Sequence, residues 1–161
     1  MRVLVIGCGN PLCGDDGAGP ETVRRLHARG LPEGVECLDA GTDGMAVALR
    51  MRGAGEVILV DACRSGGEPG RLTRLDSEAI ENLPPVETLN LHAFRWDHAL
   101  AFARWYLGKD FPASIVVWLV EGGAFEPGTG LSLDVDRGVS ELVDRLAERL
   151  RERDGDAAAT T

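Results

Sequence analysis

With 161 residues, 44% of them apolar and 27% charged, the chain has the material for one folded domain with a sizeable core. Its net charge of −9 argues against nucleic acid or an anionic membrane surface as a partner, and no apolar segment reaches membrane-spanning length. The N-terminus enters an apolar strand without a signal-peptide pattern, so the cytoplasm is the expected compartment; a monomer is also expected.

Residues 2–8 read as a buried strand feeding a glycine-rich turn, followed by a helix from Gly19 to about His27 that carries Val23 and Leu26 on one face. A second strand over 35–39 ends in Asp39-Ala-Gly-Thr-Asp-Gly, and a helix follows over about 43–52. Val57 to Val60 form a third strand that ends in Asp61. The stretch 64–85 is rich in Gly, Pro and Glu, with an edge strand over Arg71 to Leu75. A long helix runs from about Leu91 to Leu107, then an apolar run from Ser114 to Val120 and a loop from Gly122 to Gly130. The last helix begins near Ser132, an N-cap residue, and keeps Val135, Val139, Leu142, Val143, Leu146 and Leu150 as its apolar stripe. Residues 155–161 read as a frayed tail, leaving 1–154 as a single domain. This alternation predicts an α/β fold: a Rossmann-like three-layer αβα sandwich around a mostly parallel twisted sheet.

Such a sheet collects chemistry at the carboxyl ends of its strands. Gly7-Cys8-Gly9 opens like a dinucleotide fingerprint, with Asp39 closing the second strand, but the third glycine position holds Leu12 and Pro11 stiffens the turn. Asp15 and Asp16 then stand before the first helix, where two carboxylates repel the phosphate that a helix N-terminus otherwise favours. The glycine that permits close helix–strand packing is missing from that fingerprint. Singly, Asp15 reads as a turn or cap residue and Asp39 as the acceptor for the Gly41-Thr42 turn. Together with Asp61 they bring acids distant in sequence to one sheet edge.

Cys8, Cys37 and Cys63, near strand ends without CxxC spacing, read as reduced core thiols, whereas Cys13 lies in the glycine loop. Of the three histidines, His27 suits a helix C-terminus. His92 follows Asn90, a candidate N-cap, at the leading end of the long helix. His98 lies about 120° around that helix from His92, beside Asp97, and is expected on the surface at mid-helix. Two carboxylates with one imidazole suit a borderline metal such as nickel or zinc.

These residues resemble the hydrogenase maturation proteases, which process the large subunit of nickel–iron hydrogenases. The family's opening pattern G-x-G-N-x-L-x-x-D-(D/E)-G-x-G is met at Gly7, Gly9, Asn10, Leu12, Asp15, Asp16, Gly17 and Gly19. Asp39-Ala-Gly-Thr-x-Gly44 is similar to its second loop, Val57 to Ala62 to its third strand with terminal Asp, His92 to its histidine, and Gly130-Leu-Ser132 to its closing motif. The departures are Asp16 where Glu is also common, one methylene shorter, and Asn90 for the more usual Ser or Thr.

The resemblance implies that Asp16, Asp61 and His92 contact a metal: nickel already mounted in the hydrogenase large-subunit precursor and used as a recognition mark. It also implies removal of a short C-terminal extension from that client. With no Ser-His-Asp order and no HExxH pair, a metal-polarised carbonyl or water assisted by a carboxylate remains, and Asp16 and Asp39 are the candidate catalytic acids. Zinc or cadmium is expected to occupy the same position in vitro. Two other readings stay open: a Rossmann-like enzyme or binder of a small molecule or nucleotide, and a non-catalytic maturation chaperone that only holds the client.

Overall fold

A computed structural model describes residues 1–83 and 96–159, with side chains through Arg153. The strands are β1 (Val3–Cys8), β2 (Val35–Gly41), β3 (Glu56–Cys63), β4 (Leu72–Leu75) and β5 (Ser114–Glu121). The helices are α1 (Ala18–Ala28), α2 (Gly44–Met51), α3 (Ser77–Glu81), α4 (Trp96–Leu107) and α5 (Leu133–Ala159). One sheet holds the strands in the order β2-β1-β3-β5-β4, all parallel except β4, which runs antiparallel to β5 as the edge strand. This is the expected α/β sandwich.

Strand alternation divides the core between the two faces of the sheet. Val3, Val5, Ile58, Val60, Val116 and Val120 pack with Leu26 of α1 and with the buried stripe of α5. Leu4, Ile6, Val57, Leu59, Ile115 and Val117 pack on the other side with Met51 of α2 and Leu100 and Ala103 of α4. β1 and β3 are buried along most of their length because both faces are covered, which is why they read as continuous apolar runs. No helix among the described residues is long and apolar enough to cross a membrane.

The long helix is described only from Trp96, and the proposed start at 91–95 lies outside the described residues. α3 was not expected. Asp76 caps it, its carboxylate accepting from the Ala79 amide at 3.0 Å. α5 continues through Ala159, into the segment read as a tail. Below the sheet, Glu56 at the start of β3 is buried and ion-paired with Arg149 and Arg153, which fastens α5 to the amino edge of the strands.

The close helix–strand approach missing from the broken fingerprint is supplied elsewhere. A Cβ on Gly19 would stand 2.2 Å from the Cys8 carbonyl oxygen and 2.5 Å from that of Val60; one on Gly7 would stand 2.3 Å from the Gly19 carbonyl oxygen. Backbone on backbone leaves nothing flexible to yield. Gly19→Ala is therefore expected to destabilise the fold by at least about 3 kcal/mol, the upper end for overpacking a rigid site. Urea denaturation checks it; a cost below about 1 kcal/mol would mean that α1 can shift off β1.

Candidate active site

β1 and β3 are neighbours in register from Val3↔Glu56 to Gly7↔Val60, so the loop leaving β1 and the end of β3 emerge side by side. The β1 loop folds into a single 3-10 turn, Gly14–Gly17, before α1 begins. Its shape is set by a short relay. Asn10 Oδ1 accepts from the Leu12 amide at 3.0 Å, and the Asn10 amide donates to Asp16 Oδ2 at 2.8 Å. Gly9 adopts φ 126°, and a Cβ there would strike the Asp16 carbonyl oxygen at 2.0 Å. The loop is thus wound tightly enough to hold the half-buried Asp16 at the sheet edge.

Asp61 stands where β3 ends, only 5% exposed. Its Oδ1 accepts from the Ala62 amide at 2.8 Å and its Oδ2 from the Trp96 amide at 3.2 Å, at the first described residue of α4. Burial pushes its carboxyl up to about 7, the negative charges of Asp16 and Asp97 push the same way, and the two amides oppose them. The Asp16 and Asp61 carboxylates are therefore close enough to repel. A cation placed between them would relieve that repulsion and the desolvation together. Among the described residues, no group of three His, Cys, Asp or Glu side chains could hold a metal ion. The third expected ligand, His92, and its neighbour Asn90 lie outside the described residues.

Asp39 is exposed, and its Oδ1 accepts from the Gly41 amide at 2.9 Å, as the turn reading expected. By strand parity it shares a sheet face with Val35 and Cys37, on the side of α1 and α5, whereas Asp61 shares the opposite face with Val57 and Leu59. Asp39 lines a cleft of about 620 Å³ beside α1.

Asp15, adjacent to Asp16, has a different task. Fully buried, it accepts from the Gly123 and Ala124 amides at 2.8 Å each through Oδ2, from the Ser132 amide at 2.7 Å through Oδ1, and from the Ser132 hydroxyl at 3.0 Å. Burial alone would raise its pKa; these donors outweigh it and hold the carboxyl below its usual range. One carboxylate thus fastens the β1 loop to the segment between β5 and α5. The Ser132 hydroxyl, just ahead of α5, donates to this carboxylate.

Sequence reasoning missed Glu121, buried at the end of β5. It accepts from the Ser65 amide and hydroxyl at 2.7 Å, from the Gly67 amide at 3.1 Å and from the Cys63 thiol at 3.1 Å. Burial would raise its carboxyl, yet this ring of donors brings it down to about 2. The available signal was a single acid closing an apolar strand. The loop after β3 is anchored by it.

The cysteines are free thiols. Burial pushes Cys8 far up, helped by Asp61 and Asp39, and pushes Cys37 up to about 11. Cys63 is pushed up to about 12 by burial and by Glu121. Groups so reluctant to ionise suit core thiols rather than nucleophiles. His27 closes α1 as a helix C-terminal residue. His98 is half-buried on α4 rather than on the surface as expected; where it stands along the whole helix depends on residues outside those described.

Residues 20–149 match the family model for hydrogenase maturation proteases, so the opening motif lies just upstream of the matched region. The chain is 30% identical to the hydrogenase 2 maturation protease of Escherichia coli over 94% of this chain and 92% of that protein. It is 32% identical to the hydrogenase expression/formation protein HupD of Bradyrhizobium diazoefficiens, over 63% of this chain and 54% of that protein. The chain spans little more than half the length of some curated relatives it matches. The solved structure of the hydrogenase maturating endopeptidase HybD from E. coli superposes with a TM-score of 0.80 at 30% identity, covering 95% of this chain and 94% of that one. The chain belongs to the hydrogenase maturation protease family.

Proposed function

We propose that this protein is an endopeptidase that removes the C-terminal extension of a nickel–iron hydrogenase large-subunit precursor, with the client's nickel as recognition mark. The observation that carries this reading is the pairing of Asp16 with the buried Asp61 across adjacent strand ends. Such a pair is costly without a cation and gives oxygen donors of fixed position when one arrives. The metal in this account belongs to the client. Asp16, Asp61 and His92 would contact it, which gives an anionic, partly nitrogenous donor set suited to a borderline divalent ion. Its two carboxylates are held by the amides of Asn10, Ala62 and Trp96, so they keep their positions before the client docks.

Asp16 and Asp39 are the carboxylates we assign to hydrolysis. Each stands at the carboxyl edge of the sheet, and a carboxylate within reach of an attacking water can take its proton. Family membership at 30% identity over nearly the whole E. coli protein supports the peptidase activity. A nucleotide-binding role has less support, because Asp16 stands just before α1, where a phosphate would sit.

Incubating the purified protein with nickel-loaded precursor tests the reading: the expected product is a shortened large subunit, and an intact precursor would reduce the protein to a chaperone. The donor set predicts a second result. Lacking thiolates, a site of two carboxylates and one histidine should hold metal weakly until the client completes it. Elemental analysis after dialysis against a mild chelator should find well under one metal per chain, while added zinc or cadmium should occupy the position. One tightly held ion per chain would make the metal resident rather than delivered.

A further inference from the structure

The cleft beside α1 begins at Asp16's own loop and is unused by the metal-contacting residues. Pro11 and Gly17 form its end at the carboxyl edge of the sheet, and it follows α1 to Val23 and His27. From Gly17 to His27 the helix rises about 15 Å, a span that an extended chain covers in about four or five residues. Its volume of about 620 Å³ falls in the usual range for ligand sites. Pro11, Pro20, Val23 and Leu131 give it an apolar lining.

Its charges are mostly spent on each other. Glu21 pairs with Arg24 and Arg25 at 2.7 Å, and Arg25 pairs with Asp136 at 2.5 Å, so these two acids and two arginines cancel. Asp39 is left as the uncompensated charge among the described lining residues, exposed near the carboxyl end of β2 with its Oδ1 accepting from the Gly41 amide. We propose that this cleft seats an extended segment of the client's chain, with a basic side chain against Asp39 and an apolar side chain on Pro11, Pro20 and Leu131. The proposal rests on the peptidase reading for the identity of the occupant. It gives Asp39 a part in substrate selection as well as in hydrolysis, in keeping with its position on the sheet face away from Asp61.

Binding of labelled synthetic peptides to the intact protein tests this without requiring turnover. One peptide carries an Arg-Leu pair, a second Glu-Leu in its place, and anisotropy reads the affinity at low and high salt. The Arg-Leu peptide should bind about fivefold more tightly than its partner, the range an exposed ion pair supplies, with the preference fading at high salt. Asp39→Asn should remove the preference, Asp39→Lys should reverse it, and Leu131→Ala should weaken both peptides alike. Equal binding of the two peptides, or a preference that survives Asp39→Asn, overturns the proposal, as does failure of either to bind. The precursor assay separates the two ideas. A protein that selects the basic peptide yet leaves the precursor intact loses the peptidase reading and keeps the cleft. One that cuts the precursor without any peptide preference loses the cleft alone.

Discussion

Asp61→Asn should abolish processing of the client while making the folded protein more stable at neutral pH. The first effect follows from the loss of an anionic oxygen donor without a change of shape. The second follows from linkage. The Asp61 carboxyl sits at about 7 in the folded protein against an ordinary 3.8, so the folded state holds its proton more tightly than the unfolded chain. Wild-type stability must then fall as pH rises from about 4 to about 7, and stay reduced above that. At about 1.4 kcal/mol per unit, the shift is worth roughly 4 kcal/mol at pH 8. Asparagine recovers less than this. It has one carbonyl oxygen for two donors, the Ala62 and Trp96 amides, and one of them must face its NH2 group. That offset is on the order of 1–3 kcal/mol. A net gain of about 1–3 kcal/mol at pH 8 is expected, shrinking to a loss near pH 4, and urea denaturation at both pH values measures it. Destabilisation at pH 8 would show that Asp61 is a structural carboxylate. Asp16→Asn and His92→Ala should likewise stop processing while leaving the fold intact, whereas His98→Ala should leave processing nearly unchanged.

The neighbouring acid should behave in the opposite way. Asp15→Ala would leave the Gly123, Ala124 and Ser132 amides without their acceptor in a fully buried place. Each buried donor left without an acceptor costs about 1–3 kcal/mol, and three amides lose theirs together. The expected loss of about 3–5 kcal/mol is read from urea denaturation. Its pH dependence has the reverse sign to that of Asp61. The folded carboxyl lies below its ordinary range, so its contribution is present above the unfolded pKa and is lost as pH falls through the folded value. A change of under about 1 kcal/mol would mean that the loop between β5 and α5 finds other acceptors. Two adjacent aspartates thus differ in their surroundings, one buried and holding the loop between β5 and α5, the other half-buried at the sheet edge.

The alternation of apolar runs and amphipathic stripes makes the sandwich legible in the sequence, because burial on both sheet faces leaves continuous runs such as Val57 to Val60. The carboxyl-edge rule likewise brought Asp16 and Asp61 together from distant parts of the chain. Three features were hidden for physical reasons. The roles of Asp15 and Asp16 could not be divided, since the amides that distinguish them come from residues more than a hundred positions away. Glu121 closes an apolar strand and looks like a solvent boundary, yet it is buried by the loop it organises. Asp39 shares its edge with Asp61, but strand parity turns it to the other face, and parity across strands depends on a register that one sequence does not print. The glycine allowing helix contact was sought in a fingerprint position and found at Gly19, because the longer loop here starts its helix later.

The metal-gated account is tested most directly by incubating the purified protein with two preparations of the same large-subunit precursor, one nickel-loaded and one nickel-free, and following the loss of the C-terminal extension by mass spectrometry. If Asp16, Asp61 and His92 read the client's nickel, only the loaded precursor is shortened, and Asp61→Asn spares it. Equal shortening of both preparations would contradict the account.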